Sequence, residues 1–115
     1  MQTIIVDLDG TLADVRHRLK HVQAGHKKDW KSFFREMHLD PLNVWCRELM
    51  VAMKTAGYRI AIVSGRPDDY EDAIRTWLKH HKIPYDSLHL RRGGDFRADT
   101  IVKREILHQH FDKTN

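Results

Sequence analysis

Ile4-Ile5-Val6-Asp7-Leu8-Asp9-Gly10-Thr11 is the stretch on which the reading of the chain turns. An apolar run ends in two aspartates spaced by one residue, and a glycine and a threonine follow at once. Such an unbroken run predicts a buried strand over about residues 3–7. Asp7 and Asp9 then stand just past its C-terminal end, which in α/β sheets is where ligands bind. Side chains at i and i+2 of an extended chain point the same way, so two carboxylates face one small volume. Like charges that close repel, and a site that keeps both holds a cation or a shared proton.

Outward from this stretch, strand and helix patterns alternate, which predicts an α/β fold: a Rossmann-like parallel sheet with crossover helices. Residues 14–38 are polar and irregular, with one helical patch from Asp29 to Met37. Asp40-Pro41 reads as the start of a helix, with Leu42, Trp45, Leu49, Ala52 and Met53 at helical spacing and Gly57 as its stop. Tyr58–Val63 reads as a second strand, followed by the turn Ser64-Gly65-Arg66-Pro67. A third helix, capped by Asp68 or Asp69, would bury Ala73, Ile74, Trp77 and Leu78. Ser87–Leu90 is a short third strand, and Arg91–Ala98 a loop in which Gly93-Gly94 make a turn. Asp99 or Thr100 caps a last helix with Ile101, Val102, Ile106 and Leu107 inward. The organisation expected is one domain over residues 1–115, with 14–38 inserted as a small helical cap.

Composition sets the bounds. With 115 residues there is enough chain for one core. Apolar residues make up 41% and charged residues 31%, as in ordinary globular chains. No apolar run approaches the roughly 18 residues of a membrane span. Cys46 is the only cysteine, which excludes an intrachain disulfide and fits a cytoplasmic setting. A net charge of +4, spread over Arg16, Arg18, Lys20, Lys27, Lys28, Lys31, Arg91, Arg92 and Arg97 among others, favours an anionic substrate or a plain basic surface. His17 and His21 lie four apart, yet no third soft ligand accompanies them.

Three strand ends thus present distinct groups: Asp7 and Asp9, then Ser64 and Gly65, with Lys103 near the start of the last helix. These are the parts of a phosphate-handling site. A carboxylate can attack phosphorus and form an aspartyl-phosphate. A second acid can protonate the leaving oxygen and later deprotonate water. A serine hydroxyl with a neighbouring N–H holds phosphate oxygens, and a lysine offsets their charge. Mg²⁺ suits an oxygen-only site with few carboxylates.

In this ordered set the chain resembles the haloacid dehalogenase superfamily. Asp7-Leu8-Asp9-Gly10-Thr11 is similar to its first motif, Val63-Ser64-Gly65 to its second and Lys103 to its third. The resemblance implies Asp7 as nucleophile, Asp9 as general acid/base and Lys103 as stabiliser of the pentacoordinate state. It implies Ser64, Gly65 and Thr11 on phosphate, with Mg²⁺ on the Asp7 carboxylate and the Asp9 carbonyl. A closer resemblance is to the 3′-phosphatase domain of phage-type polynucleotide kinase–phosphatases. It rests on Lys28-Asp29-Trp30 with Phe33-Phe34, on Val63-Ser64-Gly65-Arg66, on Arg91 through Gly94-Asp95-Phe96-Arg97, and on Asp99 with Lys103. This implies a nucleotide or a nucleic-acid 3′-phosphate as substrate, touched by Arg66, Arg91 or Arg97. Trp30, Phe33 and Phe34 then cover the site, stack on a base, or pack as a small cap helix. No GxxxxGK[ST] occurs in these 115 residues, so a P-loop kinase activity is not expected of them.

The family's fourth motif, an acidic pair after a further strand, does not fall within these 115 residues, which stop at Phe111-Asp112-Lys113-Thr114-Asn115, so they read as a fragment of a longer protein, a short protein completed by a partner or by self-association, or a decayed and weakly active enzyme. The first strand is then expected at an exposed edge, inviting a homodimer or another partner. Two other readings stand beside the enzyme. One is a phosphoacceptor module of the receiver type. The other is a weakly active or inactive phosphate- and Mg²⁺-binding remnant, completed by a partner or by self-association.

Overall fold

A computed structural model describes residues 2–23 and 28–111. Lys27 of the basic series and the tail from Asp112 to Asn115 lie outside the described residues. Three parallel strands, β1 (Thr3–Asp7), β2 (Arg59–Pro67) and β3 (Ser87–Arg91), form a sheet in the order β1-β2-β3. The helices between and after them are α1 (Trp30–Arg35), α2 (Val44–Thr55), α3 (Glu71–His80) and α4 (Asp99–Phe111). Single 3-10 turns surround α1 at Arg16–His21 and Met37–Leu39.

Strand alternation sorts the core into two faces. Val6, Ile60 and Ile62 pack with Cys46 and Met50 of α2 and with Ile74, Trp77 and Leu78 of α3. Val63, one residue on, turns to Val102 and Ile106 of α4. Register pairs Asp7 with Val63, so the residues following each strand emerge side by side. Between Val63 and Pro67 the pairing of β2 with β3 becomes irregular, and Ser64-Gly65-Arg66 occupy that gap. The second strand is thus longer than the sequence pattern indicates, and the second motif lies inside it.

Three helix readings need correction. The second helix begins at Val44, not at Asp40-Pro41. Asp40 is extended (φ −61°, ψ 127°), as a residue before proline is forced to be. Its buried stripe is Cys46 and Met50, whereas Trp45 and Leu49 are 62% and 55% exposed. In α3 Ala73 faces outward, and in α4 Ile101 and Leu107 are exposed while Val102 and Ile106 are buried. Periodicity identifies an apolar arc; docking decides which half of it meets the sheet. The predicted patch at Asp29–Met37 is α1, capped by Asp29, whose carboxylate accepts from Ser32 N (3.0 Å) and Ser32 Oγ (2.7 Å).

Among the described residues β1 pairs with β2 alone. Its free edge borders an apolar groove of about 480 Å³ lined by Ile4, Ile5, Trp45, Leu49 and Met53, with Asp7 and Thr11 at one end. Ile5 is 44% exposed there.

Candidate active site

Asp7 ends β1 and Lys103 comes from α4, 96 residues later. Nζ of Lys103 donates to Asp7 Oδ1 at 3.1 Å, and the Leu8 N–H donates to the same oxygen at 2.9 Å. No hydrogen bond among the described residues reaches Oδ2. Lys103 also pairs with Asp99 one turn earlier, at 3.0 Å. Partial burial pulls the lysine pKa down, but the bonds to Asp99 and Asp7 together outweigh it and hold the ammonium raised. Gly65 makes this bracing possible: a Cβ there would stand 1.8 Å from Asp99 Oδ1, so any side chain would displace the carboxylate that orients Lys103.

The chain turns immediately after Leu8. Leu8 O accepts from Leu12 N (3.1 Å) and Ala13 N (2.9 Å), and Gly10 takes φ +80°, where a Cβ is disfavoured. This turn carries Asp9 toward two arginines. Arg66 Nε donates to Asp9 Oδ1 at 2.7 Å, and Arg18 Nη2 reaches the same oxygen at 3.2 Å. Both guanidinium groups then converge on Asp40. Arg18 contacts its two oxygens at 2.8 Å each, and Arg66 Nη2 contacts Oδ2 at 3.0 Å. His17 Nε2 closes the set at 2.6 Å from Asp40 Oδ1. Arg18, Arg66 and Asp40 are buried, and Arg18 also lies over the Phe33 ring and donates to Phe33 O. His17 and His21 therefore serve separate acids, Asp40 and Glu36, and share no ligand.

Each residue singled out in the sequence has a definite place. Asp7 and Lys103 meet directly, with Gly65 beside them through Asp99. Ser64 is buried, and its Oγ accepts from Arg66 N at 3.1 Å, which leaves its proton as a donor. Thr11 is half-buried on the groove beside β1, its carbonyl held by Asn43 Nδ2 at 2.8 Å. Arg66 is 2% exposed and its guanidinium is occupied by Asp9, Asp40 and Met37 Sδ. Arg91 is likewise turned inward, donating to Gly65 O (2.9 Å), Asp95 O (2.9 Å) and Arg97 O (2.6 Å). Arg97 pairs with Asp95 and Glu105. Two residues escaped the sequence reading. Asp40 passed for a helix start and Arg18 for surface charge, since no local pattern marks partners 22 and 26 residues apart. Only the presence of arginines in a segment that must fold over a core hinted at them.

A Rossmann-like sheet with an aspartate pair at the end of its first strand, a Ser-Gly pair within the next and a lysine from α4 defines a phosphatase domain of the haloacid dehalogenase type. Residues 1–114 match the family model described as the polynucleotide kinase PNKP phosphatase domain, and the chain belongs to that family. It is similar to a chain of the solved Pnkp1/Rnl/Hen1 complex, at 26% identity and a TM-score of 0.79, over 97% of this chain and 35% of that one. A chain of the Pnkp1/Rnl/Hen1 RNA repair complex aligns at 27% identity and a TM-score of 0.80, over 97% and 32%. This chain thus spans about a third of the length of those two. A Vibrio cholerae protein of known crystal structure shares the fold, at 22% identity and a TM-score of 0.53, over 86% of this chain and 80% of that one. Among the described residues no helix is long and apolar enough to cross a membrane.

Proposed function

We propose that this chain hydrolyses a phosphomonoester at the 3′ end of a nucleic acid or nucleotide, through an aspartyl-phosphate on Asp7. The observation that carries the reading is the convergence of Lys103 on Asp7 Oδ1, with Oδ2 left for attack. In the first half-reaction Asp7 Oδ2 bonds to phosphorus, the bond from phosphorus to the leaving oxygen breaks, and Asp9 gives that oxygen a proton. In the second, Asp9 takes a proton from the water that attacks phosphorus, and phosphate departs from Asp7. Both arginine bonds to Asp9 fall on Oδ1, which leaves Oδ2 for proton transfer. Ser64 Oγ and the Gly65 N–H would hold phosphate oxygens, with Thr11 nearby, and Lys103 would balance the added charge. Arg66 acts in this reading through Asp9, and Arg91 through the loop it braces. In this reading the described residues of the 14–38 insertion act as a small cap, tied to the site through Arg18 on Asp9 and Asp40 and through His17 on Asp40.

Mg²⁺ fits the donors available. The Asp7 carboxylate and the Asp9 carbonyl are hard oxygen ligands, and among the described residues no group of three acidic, imidazole or thiol side chains competes to enclose a metal. Mg²⁺ commonly rests on one or two carboxylates plus water and substrate phosphate. Bound there, it would supply charge to polarise the phosphoryl group. Membership in a phosphatase family supports turnover over a stored phosphate, and likeness to a chain from an RNA repair complex supports an RNA end. The buried single thiol Cys46 suits a reducing cytoplasm. Phosphate release from a 3′-phosphorylated oligoribonucleotide should depend on Mg²⁺, stop with chelator, and exceed release from the 5′-phosphorylated isomer. Equal rates on both isomers would reject the 3′ assignment.

The edge of β1 that is unpaired among the described residues favours one addition: self-association, or completion by a partner strand, along Ile4 and Ile5. Sedimentation should show concentration-dependent dimers that Ile5→Lys converts to monomers. A wild-type monomer throughout the concentration range would remove this part of the reading.

A further inference from the structure

Phe96 is 93% exposed, more than any other large apolar side chain described. A lone exposed apolar residue is ordinary in itself. What distinguishes Phe96 is the bonding of the backbone on both sides of it. Arg91 Nη1 draws in the carbonyls on both sides of Phe96, those of Asp95 and Arg97. Asp95 Oδ1 accepts from Arg97 N (3.1 Å) and Arg97 Nε (2.9 Å), and Arg97 is anchored again on Glu105 of α4. At the start of the loop Gly93 N donates to Asp68 Oδ1 at 2.8 Å, and a Cβ on Gly93 would strike Asp69 Oδ1 at 1.9 Å. With both flanking carbonyls bound to one guanidinium beneath the loop, the aromatic ring is held out into solvent. Ordering the backbone that carries a contact residue in advance lowers the entropy lost on binding.

The loop also has a place relative to the chemistry. Asp7 contacts Lys103, Lys103 contacts Asp99, and Asp99 lies 3.7 Å from Arg91, whose other bonds hold the residues flanking Phe96. Beside it Arg92 is exposed and makes no ion pair among the described residues, unlike Arg91 and Arg97. An aromatic ring on a braced backbone, in the same loop as an available guanidinium, offers the two groups that single-stranded nucleic acid takes: a ring for a base and a cation for a backbone phosphate.

We infer that Phe96 is a stacking platform for a nucleobase close to the 3′ end, with Arg92 on a neighbouring backbone phosphate. The inference rests on the phosphatase reading for its substrate and adds the residue that recognises it. Two oligoribonucleotides with a 3′-phosphate serve as probes, one complete and one abasic in its last three positions. In wild type the complete strand should bind about tenfold more tightly than the abasic one. Phe96→Ala should remove that difference, raising Kd and KM for the complete strand about tenfold while leaving the abasic strand and kcat unchanged. Phe96→Trp should keep the preference and Phe96→Leu should lose most of it. Equal binding of both strands by wild type, or equal losses on both in Phe96→Ala, overturns the platform. Binding that Phe96→Ala leaves untouched also overturns it, and then points to a protein surface as what covers the ring. Hydrolysis of glycerol phosphate, followed in parallel, reports on the phosphatase reading alone, and anisotropy of a labelled strand reports on Phe96 without turnover.

Discussion

Asp7→Asn should lower phosphate release by at least about a thousandfold while leaving the protein folded. The amide oxygen is a poor nucleophile, so the covalent route closes and only positioning and charge balance are left. Asp7 stands at the end of β1 with its side chain 40% accessible, and among the described residues that side chain's one long-range hydrogen bond is to Lys103. The thermal midpoint should therefore move little, which separates a lost nucleophile from a lost fold. Lys103→Ala should retain the covalent route but lose the charge that offsets phosphate and carboxylate, at a cost of roughly a hundredfold or more in kcat. Rapid-quench trapping of a phosphoprotein in wild type and its absence from Asp7→Asn checks the assignment at the atom level. An Asp7→Asn protein that hydrolyses substrate at more than a few per cent of the wild-type rate would contradict it.

The second large effect is on stability. Asp40→Ala should destabilise the protein by about 3–5 kcal/mol, because it leaves two buried guanidinium groups facing one carboxylate. In the native arrangement Arg18 and Arg66 share Asp9 and Asp40, two charges against two, and every buried side-chain polar atom described has a partner. Without Asp40, Arg18 loses two of its four bonds and Arg66 keeps Asp9 and a sulfur. Urea unfolding measures the loss. Asp40→Asn, which retains an acceptor for one arginine, should fall between Asp40→Ala and wild type. Should Asp40→Ala fail to accumulate, the double variant Arg18→Met with Asp40→Asn provides the comparison, since a pair replaced together costs less than a partner removed alone. A loss below about 1 kcal/mol for Asp40→Ala would mean that the cluster is solvated rather than buried. Activity should fall as well, through Asp9, whose orientation depends on both arginines.

These two residues mark where sequence reading succeeds and where it stops. Asp7 was legible because its context is local. An apolar run, two acids at i and i+2 and a glycine specify a strand and the turn that ends it within eight residues. Lys103 was legible for the same reason, lying inside a helix whose own pattern is clear, whereas Ser64, read as the turn after a strand, lies inside the longer β2. Asp40 was not, because its meaning depends on residues 22 positions before it and 26 after it, and on proline geometry that keeps it out of the helix it seemed to begin. The resemblance implies Arg66, Arg91 or Arg97 as contacts to phosphate or sugar, and in the structure the guanidinium groups of all three are bonded to groups of the protein itself.

By itself the sequence determined the alternating α/β order, the first strand and the acids that close it, since hydrophobic period and turn chemistry act over a few residues. Tertiary structure alone decided which half of each apolar arc is buried, which arginines are committed to Asp9 and Asp40, and that the ring of Phe96 stands in solvent. Those outcomes depend on distances between segments far apart in the chain. Charge pairing and packing are settled only when the segments dock.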